Sequence, residues 1–127
     1  MLVVPALIWT VISSNANAFG AYRAQAVTQF KLEDKATTCA YCHVEATGGA
    51  PWNKFGQLVQ IKLEGDISKA LYEALEANLD SDGDGYADKL EVYAKTLPGN
   101  ESSKPEQDVK TLEAAFEKAG GLNPFKP

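Results

Sequence analysis

A small all-α domain is the fold this sequence predicts. Apolar residues recur at helical spacing in several segments, and no segment shows strand-like alternation. Breaks containing Gly and Pro fall between the helical segments. The chain has 127 residues, the length of one small domain. That is near the lower end of what an apolar core holds together unaided.

The elements follow in chain order. Residues 1–18 carry an apolar run, Leu2–Ile12, then Ser13, Ser14 and the small-residue pattern Ala16-Asn17-Ala18. This resembles a secretory signal peptide cleaved after Ala18, leaving a domain over 19–127. No Lys or Arg precedes the run. A retained anchor is the alternative, but a membrane span needs about 20 apolar residues. The expectation is export to the periplasm or beyond, with no stable membrane span after cleavage.

Tyr22–Leu32 reads as a helix with Tyr22, Ala26, Val27 and Phe30 on one face. Thr37 or Thr38 suits the cap of a short helix over the next residues. Thr47–Pro51 is a loop, and Pro51–Leu63 a helix opened by its proline. After Gly65, with Asp66 or Ser68 as cap, Ile67, Leu71, Ala74, Leu75 and Leu79 mark an amphipathic helix. Leu90, Val92, Tyr93 and Ala94 suggest a short helix, and Leu97–Pro105 a surface loop. Asp108 caps a last helix carrying Val109, Leu112, Ala115, Phe116 and Ala119, which Gly120-Gly121 ends.

Two motifs carry chemistry. Cys39-Ala40-Tyr41-Cys42-His43 has the C-x-x-C-H spacing of covalent haem attachment. Two thiols about one turn apart can add to the two vinyl groups on one porphyrin edge. The next residue then sets an imidazole under the iron. The chain's two cysteines and single histidine all lie in this window. A thioredoxin-like site wants a βαβ context, which the sequence lacks. A zinc site needs four ligands, and the window offers three at most. One haem c, held by Cys39 and Cys42 with His43 as axial ligand, is the expectation.

The second motif is Asp80–Glu91, which fits the EF-hand calcium loop at every ligand position. Asp80, Asp82 and Asp84 stand at positions 1, 3 and 5, and Gly85 at 6 makes the sharp turn. Tyr86 at 7 offers a carbonyl, Asp88 at 9 binds directly or through water, and Glu91 at 12 binds with both oxygens. Calcium takes six to eight oxygen ligands, and one short loop supplies them. A single loop of this kind reads as structural rather than as a sensor. The formal net charge is −5, which argues against nucleic acid as a partner. Without these five carboxylates the remaining acids balance the 12 bases, so the charge is local.

With both motifs in view, the chain resembles small exported monohaem c-type cytochromes. The resemblance covers Cys39–Val44, Gly48–Gly56 and Asp80–Glu91. It implies an all-helical cytochrome c-like domain, covalent haem c and electron transfer with partner redox proteins, not enzymatic turnover. One feature departs from that pattern. Small cytochromes c place a Met or a second His opposite the first axial ligand. Here the only Met is residue 1 and the only His is in the motif. Candidates for the sixth position are a Lys amine, a Tyr phenolate, an Asn, a residue from another subunit, or the α-amino group of Phe19 freed by cleavage. An α-amine has an ordinary pKa of about 7.7–8.0 against about 10.4 for lysine, so it frees its lone pair more readily. The alternatives to an electron carrier are a gas- or peroxide-binding protein with an open sixth site, and a haem subunit of a larger redox assembly. Peroxidase work wants a distal acid–base group, and no second histidine exists to supply it. Tyr22, Phe30, Trp52 and Phe55 are candidates for the haem wall or for plain core, and Tyr41 for packing beside the ring.

Overall fold

The computed structural model describes residues 15–33 and 35–127. Among them it has α1 (Asn15–Gln29), α2 (Lys54–Lys62), α3 (Ile67–Glu76), α4 (Asp88–Ala94) and α5 (Val109–Lys118), with 3-10 turns at Ala36–Tyr41 and Asn123–Phe125. The protein is all-α, as its patterning predicts. Most of the expected leader, residues 1–14, lies outside the described residues.

Local chemistry sets each boundary. α1 ends at Gln29, earlier than the predicted Leu32, because Lys31 turns left-handed (φ 56°). The Leu32 N–H then reaches back to the Val27 carbonyl at 2.9 Å, as in a Schellman ending. The Cys39 segment is a 3-10 turn, not an α-helix. Thr38 still anchors its start: its Oγ1 accepts from the Lys35 N–H at 3.1 Å and donates to the Glu33 carbonyl at 3.1 Å. α2 begins at Lys54, three residues after the predicted Pro51, because Asn53 is the cap and accepts from the Gly56 N–H at 2.8 Å. Asp66 and Asp108 cap α3 and α5 as expected, accepting from Ser68 and Lys69, and from Thr111. α5 closes with the Gly121 N–H on the Phe116 carbonyl at 2.9 Å.

α2 and α1 pack on α3, and α3, α4 and α5 follow in series. The buried face of α3 is Ala70, Leu71, Ala74 and Leu75. Leu79, predicted on that face, lies beyond the helix end and is 49% exposed. Ala119 likewise falls outside α5 and is exposed. Phe30 sits at the centre, its ring 6.2 Å from Phe55 and 6.4 Å from Phe125. Both Phe30 and Phe55 are fully buried. Each such side chain contributes about 1.5–3 kcal/mol through burial. Two polar ties join segments distant in the chain. The Gln29 Nε2 donates to the Ser68 carbonyl (2.8 Å) and the Phe125 carbonyl (3.0 Å). The Lys95 Nζ donates to the Phe30 carbonyl at the end of α1 (2.7 Å). Among the described residues no helix is long and apolar enough to cross a membrane.

Candidate functional site

The turn at Ala36–Tyr41 brings the first motif together. The Cys42 and His43 N–H groups both donate to the Cys39 carbonyl, at 3.2 and 3.0 Å. These bonds close the turn that carries both thiols and the imidazole. The chain then doubles back. The Val44 N–H donates to the Pro51 carbonyl (3.1 Å) and the Asn53 N–H to the Cys42 carbonyl (2.9 Å). The loop between these segments passes through Gly48 and Gly49, both at positive φ (86° and 81°), where a side chain would be strained. It brings the Gly49 carbonyl onto the His43 Nδ1 at 2.5 Å. A carbonyl only accepts, so Nδ1 carries the proton and the Nε2 lone pair is left to bind a metal. The Trp52 ring stacks on the imidazole, centroids 4.3 Å apart.

Cys39, Cys42 and His43 line one cavity of about 550 Å³. That is within the about 300–1,000 Å³ of cofactor clefts. Tyr41 and Trp52 line it beside the motif, and Ala26, Val59, Leu63, Ile67 and Leu71 line it from α1, α2, α3 and their junctions. Tyr22 also faces it, whereas Phe30 and Phe55, the other proposed wall residues, belong to the core. Arg23 stands at its edge, its guanidinium donating to the Lys35 carbonyl at 3.0 Å. Burial pushes the Cys42 thiol up to about 12, with the Cys39 thiol as second cause, so it stays protonated at neutral pH. Burial, and then the charge of Glu91, pushes the Tyr41 phenol up to about 12. Tyr41 is therefore a poor phenolate ligand at neutral pH.

No lysine, asparagine or methionine is among the described residues lining the cavity. Of the sequence candidates for a sixth ligand, the cavity brings Tyr22 and Tyr41 to its wall. The Phe19 backbone lies in α1 and its side chain is outside the described residues, while its neighbour Gly20 lines the cavity.

Sequence reasoning missed the clamp that holds the motif in place. Asn53 is buried, and its Nδ2 donates to the carbonyls of Ala40 (2.9 Å), Tyr41 (3.1 Å) and His43 (3.3 Å). Its Oδ1 caps α2 in the same stroke. Two glycines make room for it. A Cβ on Gly56 would fall 2.0 Å from the Cys42 carbonyl oxygen, and one on Gly99 would fall 2.3 Å from the Asn53 Cγ.

The acidic loop is folded around its own carboxylates. The Asp80 side chain accepts from the N–H groups of Gly83, Asp84 and Gly85, at 2.7, 3.2 and 2.8 Å. Asp82 accepts from Asp84 N–H (3.1 Å) and Asp84 from Tyr86 N–H (3.0 Å). One oxygen from each of Asp80, Asp82 and Asp84 lies within 4.8 Å of the others, a set that could hold a cation. Asp88 is turned to Ser81, whose N–H and hydroxyl take its two oxygens at 2.8 and 2.6 Å. The Tyr86 hydroxyl donates to the Gln107 carbonyl (2.8 Å), pinning the loop to the segment before α5.

Glu91 is fully buried, and neither of its oxygens has a hydrogen-bond partner. One oxygen each of Asp82 and Asp84 is also buried without one. A desolvated carboxylate without a donor is costly, and a cation removes that cost. Burial, followed by the charges of Asp82, Asp84, Asp88 and Asp80, raises Glu91 to about 9. Burial raises Asp82 and Asp88 to about 6.

These raised values set a direction. A carboxyl whose folded pKa exceeds its unfolded value of 4.5 (Glu) or 3.8 (Asp) favours the fold when protonated. Its contribution is complete below the unfolded value and is lost as pH rises through the folded one. Cation-free protein is therefore expected to lose stability from about pH 4 upward, through 6 and on to 9. Urea midpoints in chelator across this range check the slope; a midpoint that climbs between pH 5 and 9 contradicts it.

No protein family, no curated protein and no solved structure matches the chain.

Proposed function

We propose that this protein is an exported monohaem c-type electron carrier whose fold is braced by one calcium ion. The observation that carries this reading is that both thiols and the imidazole of Cys39–His43 line one largely apolar cavity, with His43 Nδ1 held by Gly49 and Nε2 left free. The donor set fits a covalent haem. Cys39 and Cys42 would take the two thioether bonds and His43 the iron. Arg23 complements the carboxylate edge of a porphyrin, and the Trp52 stack holds the imidazole plane. Bound haem supplies a one-electron couple; the chain supplies orientation and water exclusion through Ala26, Val59, Leu63, Ile67 and Leu71. For calcium, the support is the unpartnered, fully buried Glu91 beside the Asp80, Asp82 and Asp84 cluster.

Mass spectrometry of protein expressed with its export machinery tests the haem. One covalent haem per chain is expected, and the Cys39→Ser, Cys42→Ser double variant should release its pigment to acid-acetone. Pigment that stays bound in that variant, or colourless wild-type protein, ends this reading. The second reading is an open sixth site binding a neutral diatomic ligand. It is favoured by the apolar wall from α1 to α3, which brings no lysine or methionine among the described residues. A reduced spectrum unchanged by carbon monoxide excludes it.

A further inference from the structure

We propose that the acidic loop and the haem seat are one linked unit, in which a divalent cation held by Asp80–Glu91 tightens the Cys39–His43 turn and raises the reduction potential of the iron bound there. The redox half rests on the haem reading above. The conformational half concerns this chain alone.

Two independent routes join the sites. The first is electrostatic and steric. Tyr41, the residue between Ala40 and Cys42, is buried in one core cluster with Leu90 and Val92 of α4, the helix that carries Glu91. A separate cleft of about 320 Å³ is lined by Ala40, His43 and Val44 and also by Asp82. The third position of the loop and the axial histidine thus line the same cleft.

The second route runs through backbone. Glu91 is the residue from which α4 is closed: its carbonyl accepts the Thr96 N–H at 2.9 Å. From Thr96 the chain leads through buried Pro98 to Gly99. Gly99 lies so close to Asn53 that a Cβ would overlap its side chain. Asn53 in turn donates to the carbonyls of Ala40, Tyr41 and His43. Any shift of α4 as Glu91 closes on a cation reaches the motif through these contacts.

The sign follows from charge. Ferric iron carries one more positive charge than ferrous, so the carboxylates of the empty loop favour the oxidised state. A divalent cation cancels part of that field and favours reduction. By linkage the reduced protein must bind the cation more tightly, and by the same factor.

Two measurements on the full chain decide the matter. The first is amide hydrogen exchange with calcium and with chelator, calcium binding being verified by titration calorimetry. Slower exchange is expected over residues 39–44 and 53–56 as well as in the loop. Protection confined to 80–91, or no calcium binding, overturns the linkage whether or not haem is present. The second is an optical redox titration of the pigmented protein. About fivefold tighter calcium binding to the reduced form is expected, at the low end of allosteric couplings. For one electron this is a midpoint higher by about 40 mV in calcium. Glu91→Gln should remove most of the shift. An unchanged or lowered midpoint with calcium bound overturns the redox half. Colourless protein would end the haem reading, and the redox half with it, while the exchange result still decides the conformational half.

Discussion

Gly56→Ala is expected to abolish the seat of the Cys39–His43 motif. The added methyl would lie 2.0 Å from the Cys42 carbonyl oxygen and 2.8 Å from its carbon, so backbone must move against backbone. No rotamer relieves such an overlap, and overpacking costs of about 1–3 kcal/mol are a lower bound where the neighbour is main chain. The Asn53 clamp shifts with it, leaving buried carbonyls of Ala40 and Tyr41 without a donor at about 1–3 kcal/mol each. A loss of about 4 kcal/mol, much of the stability of a small domain, is the expected outcome. Urea unfolding measures it. Gly65→Ala is the control, since it meets nothing within 4 Å and carries only the strain of a positive φ. Gly56 is helical and carries no such strain, so a loss no larger than that of Gly65→Ala would mean that the overlap with Cys42 does not set the cost.

The second large effect is an inversion at Glu91. In chelator at pH 7, Glu91→Gln should be more stable than the unaltered chain: burial, and then the four aspartates, raise Glu91 to about 9, so the carboxyl must take up a proton on folding, a cost the neutral amide does not carry. In calcium the order should reverse. The native loop gains about 4 kcal/mol when the free ion is 1,000 times its dissociation constant, and the variant, lacking the bidentate carboxylate, gains far less. Crossing of the two melting curves between the conditions is the signature. Parallel curves would mean that Glu91 is not a ligand.

The parts legible in the sequence are those that local chemistry decides. Asp66 and Asp108 cap their helices through neighbours two or three residues away, and the apolar face of α3 repeats every three or four residues. The spacing of Cys39, Cys42 and His43 marks a turn that does hold them on one cavity. What stayed hidden depends on distant partners. Asn53 reads as an ordinary polar residue near a proline, and its three acceptors lie 10 to 13 positions back. Gly56 falls inside the predicted helix Pro51–Leu63 and Gly99 in the predicted loop Leu97–Pro105, yet each is a point of close approach. Proline at 51 suggests a helix start, but the Asn53 cap outweighs it. Leu79 has the right spacing for the α3 face, and only the end of that helix at Glu76 puts it outside.

The tie from Gln29 to Phe125 orders events in time. It spans 96 residues, and it anchors the end of α1, which forms one wall of the cavity beside Cys39 and Cys42. A ribosome adding about 5–20 residues per second needs about 5–20 s to cover that separation. For most of that interval the thiols have been made and this anchor of their wall has not. A chain whose C-terminal end has not yet docked therefore holds its two half-buried thiols beside a less firmly anchored wall than the finished fold does.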